Sequence, residues 1–168
     1  MGTRTLLADV AIGVAAGYLA TKVTDRAQTG LWHATPDRAK EQEPDVSEPS
    51  ARSAARLLCE RFGIEPSERE LELLKTLIHY GLGAGWGTLY GFMRRYSRMT
   101  PVGAGLVTGT SLSIIIDEAL NPAFGITPPS EEFPASAHVR GLLTHMVYGL
   151  AVAAAAESLH QVTPHSWR

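Results

Sequence analysis

Charge is distributed along this chain in blocks, and the blocks leave four stretches almost free of it. The uncharged runs are Val10–Thr21, Thr76–Met93, Thr100–Ile116 and Gly141–Ala156, of 12, 18, 17 and 16 residues. A helix that crosses the hydrocarbon of a bilayer needs about 20 mostly apolar residues. The runs reach that length with their flanks, the first by extending past Asp9 towards Leu6. A mean hydropathy of -0.01 conceals this segregation.

Small residues argue for lipid rather than water as the solvent. Glycine and alanine bury little area, so a core made of them is weakly driven by water. In a bilayer, helix association depends on close packing, and small residues are favoured at the contacts. The alternative is a soluble bundle of buried apolar helices. At 168 residues the chain is one domain. A net charge of -2 gives no general attraction to nucleic acid. The single cysteine, Cys59, excludes an internal disulfide and a cysteine-only metal site. The residues before the first polar segment lack a clear signal-peptide cleavage site.

The expected architecture is all-α: a four-helix transmembrane bundle with Gly/Ala interfaces, its helices at about 5–23, 68–94, 101–120 and 137–161. Ser67 with Glu70 forms a capping box that starts the second helix. Pro101 suits the first turn of the third, and Asn121-Pro122 is expected to end it. The polar loop 24–67 contains a flexible linker over residues 33–50. It also holds an amphipathic helix, with Ala51, Ala54, Ala55, Leu58 and Phe62 on one side and Gly63 closing it. That helix suits the membrane interface, or equally the end of the bundle.

Residues four apart share a helix face. Each predicted helix carries such a stripe of small residues, headed or closed by an ionisable one. The stripes are Asp9, Gly13, Gly17, Thr21; His79, Gly83, Gly87, Gly91; Gly105, Gly109, Ser113, Asp117; and His145, Gly149, Ala153, Glu157. They favour close, right-handed crossings. Gly81 and Gly85 mark a second face of the second helix, which could make it the centre of the bundle or a link to another chain.

Intramembrane ionisable residues face the bundle interior or a cavity. His79, His145, Asp117 and Glu118 fall at one level and form a candidate cluster. It would suit a transition metal, a proton relay or bis-histidine haem; alternatively the histidines are packing glue between helices. Asp9 and Glu157 fall towards the opposite side. His33, His138, His160 and His165 are expected at the surface. Phosphate-loop, nucleophile-elbow, H-E-x-x-H and C-x-x-C motifs are absent.

At "LIHYGLGAGWGTLYG", "FGITPP" and "LLTHMVYG" the chain resembles the YagU-like family of small bacterial inner-membrane proteins with four predicted spans. The matching pieces are His79, Gly125–Pro129 and His145, and the likeness covers the second to fourth helices. It implies the four-span topology and no activity or cofactor. Arg94, Arg95 and Arg98, with no acid among them, place the second turn in the cytoplasm, and both termini with it. The expected role is non-enzymatic, as a packing or accessory subunit in the inner membrane. Its partners would be the lipid bilayer and a second copy or other membrane subunits. The competing reading is a small transporter or ligand-binding protein that uses His79, His145 and Asp117.

Overall fold

A computed structural model describes residues 3–162, with side chains from Leu6 onward. Every regular element among the described residues is helical. Four long helices dominate: α1 (Thr3–Ala34), α4 (Glu68–Tyr96), α5 (Pro101–Leu112) with its continuation, and α7 (Ala135–Val162). Two short helices, α2 (Asp37–Lys40) and α3 (Ser50–Arg61), lie between α1 and α4. Three stretches are long and apolar enough to cross a membrane: Leu6–Ala34, Pro101–Ala123 and Ala135–Val162. The sequence led us to expect four. The second helix, α4, is long enough, but its run from Thr76 to Met93 spends positions on five glycines, His79 and two tyrosines.

The ends of these helices have local causes. Ser67 accepts from the Glu70 N–H while the Glu70 carboxylate accepts from Ser67, the reciprocal cap that starts α4. Thr100 accepts from the Gly103 N–H at 3.1 Å, with Pro101 behind it, and so starts α5. Gly63, at φ 64°, lets the Ile64 N–H reach back to the Cys59 carbonyl and closes α3.

Two boundaries depart from expectation. α1 continues beyond residue 23 to Ala34, because the polar residues there are satisfied along the helix. Thr24 and Thr29 donate to carbonyls one turn back, and Asp25 meets α4. The third helix passes through Asn121-Pro122. Its α-helical part widens into a π-helix over Ser113–Leu120 and then finishes as α6 (Asn121–Ala123). The Asn121 carbonyl then accepts from the Ile126 N–H at 2.8 Å, which turns the chain.

The four long helices run alternately up and down. α1 lies between α4 and α7, and α7 packs in turn on α5; α4 touches α5 and α7 less. Close approach occurs along two antiparallel pairs. A Cβ at Gly13 would lie 2.6 Å from Thr88 Cα, and one at Gly87 would lie 2.7 Å from Gly17 Cα. In the second pair, a Cβ at Gly105 would stand 2.6 Å from the Gly149 carbonyl oxygen, and one at Gly109 2.8 Å from the His145 carbonyl carbon. No real Cβ tolerates such distances, so glycine is required there. Gly83 and Gly91 are buried in the same helix. A Cβ at Gly81 or Gly85 would meet nothing within 4 Å, so that face of α4 is open in a single chain and α4 does not occupy the bundle centre.

The core is small-grained: Ala16, Ala20, Ala104, Ala153 and Ala156 are buried, along with Ile12, Leu112 and Val152. Tyr90 and Tyr148 are the large buried exceptions. Large aliphatic side chains such as Leu19, Leu77, Val107, Ile114 and Leu150 face outwards.

The first loop is pinned rather than free. Arg140 makes a bidentate pair with Glu43, both bonds 2.7 Å, and lies over the Trp32 ring. Glu48 holds Arg52 and Arg56, and Arg52 also reaches Glu68 at 2.5 Å and Glu72 on α4. On α3 it is Ala55 and Cys59 that pack inwards, while Leu58 and Phe62 stay exposed. The apolar stripe read from spacing is therefore split between two faces, because α3 leans on α4 through its narrow side.

Candidate functional site

Each ionisable residue that heads or closes a small-residue stripe finds its partner on a neighbouring helix. At one end, Asp9 of α1 pairs with Arg95 of α4, both nearly buried. Glu157 of α7 accepts from Arg94 Nε at 2.7 Å and from the Tyr90 hydroxyl at 3.1 Å. Arg94 also donates to the Met99 carbonyl at 2.7 Å, which fastens the turn after α4. This end is closed by ion pairs. His160 lies beside it and is buried, not at the surface as expected, because it is on the inner face of the last turns of α7.

The opposite end is open. The four residues of the expected cluster lie there but form separate pairs. His145 Nε2 stands 2.7 Å from Asp117 Oδ2. His138, expected at the surface, places Nδ1 2.7 Å from Glu118 Oε1. His79 Nε2 is 2.8 Å from Asp25 Oδ1, a partner hidden from sequence reasoning because helix 1 was expected to stop short of it. Among the described residues no group of three or more His, Cys, Asp and Glu side chains is placed to hold a metal ion. Each of the three imidazoles is engaged by its own carboxylate, so the geometry is that of three dyads. His33 closes the last turn of α1, and His165 lies outside the described residues.

Adjacent residues supply two of these carboxylates. Asp117 and Glu118 sit in the π-helical stretch and reach His145 and His138, two turns apart on α7. Successive residues diverge by about 100° on an α-helix, and a wider helix turns less per residue. The π-helix thereby lets neighbours face one partner helix, and such stretches recur at functional sites.

The dyads line two connected hollows. An inner cavity of about 280 Å³ is bounded by His79, His145 and Asp117 together with Thr21, Thr144 and Tyr148. An outer one of about 220 Å³ is bounded by Glu118, His138 and Thr127. They share Gln28, Ser50, Asp117, Asn121, Ala137, Arg140 and Gly141, so one cleft leads from the loop end into the bundle. Ala51 and Ala54 of α3 form part of its wall. The cleft stops at Tyr148, whose hydroxyl donates to the Gly83 carbonyl at 2.5 Å.

Outside the helical spans, charge pairing shifts acidity at the first loop. The hydrogen bond from Arg56 holds the Glu48 carboxyl below the usual carboxylate range.

Comparisons with protein-family models, curated proteins and solved structures return no match for this chain.

Proposed function

We propose that the protein is a four-span inner-membrane protein of the YagU-like kind that binds a small polar solute in the cleft between its helices. The membrane reading is supported by the three long apolar helices and by a core of small residues beneath an outer layer of large aliphatic ones. That distribution suits lipid, where small-residue packing replaces the hydrophobic drive. In this reading α4 is the fourth span, enclosed on one side by α1. The arginine-rich turn and both termini are cytoplasmic, and the cleft opens on the other side. Alkaline carbonate washing of membranes tests it: the protein stays in the pellet, and release into the supernatant rejects membrane integration.

The observation that carries the binding part is the cleft itself, lined by polar and apolar side chains at one end of a bundle whose other end is closed by ion pairs. Gly141 offers a plug. It lines both hollows, and a Cβ there would meet nothing closer than Asp117 Oδ2 at 3.9 Å. A solute that stabilises the wild type in mild detergent should lose that effect in Gly141→Leu. Equal stabilisation of both proteins places the solute elsewhere and rejects the cleft.

A second reading is favoured by the open face of α4. A Cβ at Gly81 or Gly85 would meet nothing within 4 Å, which suits an accessory subunit that docks against itself or another membrane protein there. Gly81→Leu with Gly85→Leu should then abolish co-purification of the partner while leaving the monomer folded.

A further inference from the structure

What the cleft recognises follows from the direction of its hydrogen bonds. A hydroxyl has one proton to give and two lone pairs to receive. Thr21 and Thr24 each donate to the carbonyl one turn back at 2.9 Å, Thr144 does so at 2.8 Å, and Tyr148 donates to Gly83. All four residues line the inner cavity. Their protons are spent on the main chain, and what remains for a ligand is lone pairs.

Asp117 adds a carboxylate to this wall. His145 stands against that carboxylate through Nε2, and His79, the other imidazole of the wall, is turned through Nε2 to Asp25. The guanidinium in the lining, Arg140, directs its two terminal nitrogens to Glu43. Gln28, Ser50 and Asn121 can act in either sense. The wall is therefore rich in acceptors, carries a carboxylate, and has its cation engaged elsewhere. Ile78, Leu82 and Ile116 complete it with apolar surface.

We propose that the cleft binds a small organic ammonium ion, its N–H donors on Asp117 and the threonine hydroxyls and its short alkyl portion against Ile78, Leu82 and Ile116. The inner volume of about 280 Å³ lies at the small end of ligand pockets, which run from about 300 Å³ upwards, and so suits a chain of a few carbons. This inference rests on the cleft-binding reading above.

The test is thermal unfolding of the full-length protein in mild detergent with n-butylammonium chloride. Sodium chloride, sodium butyrate and 1-butanol serve as matched probes. Butylammonium should raise Tm saturably, and its apparent Kd should weaken at least tenfold in Asp117→Asn. Gly141→Leu, which keeps the carboxylate, should lose the effect too, so poor folding of one variant does not spoil the result. Unchanged butylammonium binding in Asp117→Asn overturns the proposal. Stabilisation by butyrate or butanol alone, abolished by Gly141→Leu, overturns the ammonium assignment while the cleft remains a binding site. No saturable stabilisation by any probe overturns both.

Discussion

An ionisable side chain among packed helices is held there by its partner, and removing one member leaves a buried charge unpaired. Asp9 and Arg95 are 8% and 13% exposed at their side chains. Either Asp9→Leu or Arg95→Met alone should therefore cost about 3–5 kcal/mol, whereas the double variant should recover most of it. Chemical or thermal unfolding of the three variants checks this. Tyr148→Phe removes the donor to Gly83, whose carbonyl keeps its partner within α4; the lost bond should cost about 0.5–1.5 kcal/mol, read by the same assay. At this scale the sequence singled out the ionisable residues of the stripes and grouped Asp117 with His145, which do meet, but it did not show the other partners. The spacing-four stripes singled out Asp9, His79, Asp117, His145 and Glu157. Their partners Arg95, Asp25 and Arg94 come from other helices or from beyond an expected helix end, and spacing within one helix carries no information about that. Glu118 was grouped with His145 on level alone, and the widened backbone turns it to His138 instead.

Elements are where local chemistry was most readable. The Ser67–Glu70 capping box, Thr100-Pro101 and Gly63 each end or start a helix where their residue types require. The π-helical stretch was not readable, because nothing in "SIIIDEAL" distinguishes five-residue from four-residue hydrogen bonding. The end of α1 was missed because its polar residues were read as the start of the loop 24–67, when several are bonded to the helix itself. Glycine positions separate by what stands opposite. Gly17→Leu would drive a side chain into the α4 backbone at Gly83 and Ala84, and should destabilise by about 1–3 kcal/mol or more. Gly81→Leu meets open space; in the isolated protein it should be neutral or stabilising by up to about 1 kcal/mol, since leucine is the better helix former. The α3 corner responds to acid. Glu48 has a folded-state pKa below its unfolded value of about 4.3, so its contribution is complete above that pH and disappears as pH falls through the depressed value. Amide exchange over residues 50–61, corrected for intrinsic rates, should accelerate there before the long helices loosen.

The whole molecule is organised by contrast between its two ends and between its inside and outside. Ion pairs fasten the end where Tyr96 leads into the turn; dyads and hollows occupy the end where Trp32, Glu43 and Arg140 are locked together. Breaking that lock with Glu43→Gln frees Arg140 beside the cleft, and should weaken butylammonium binding by several-fold through repulsion, measured by the same Tm titration. The small side chains are inside and the large aliphatic ones outside, which has a consequence for how the molecule is made. A chain with this distribution exposes adhesive surface when correctly folded in water, and more of it when unfolded. Under the membrane reading proposed above, its synthesis is coupled to its delivery, with the three long apolar helices handed to lipid as they emerge.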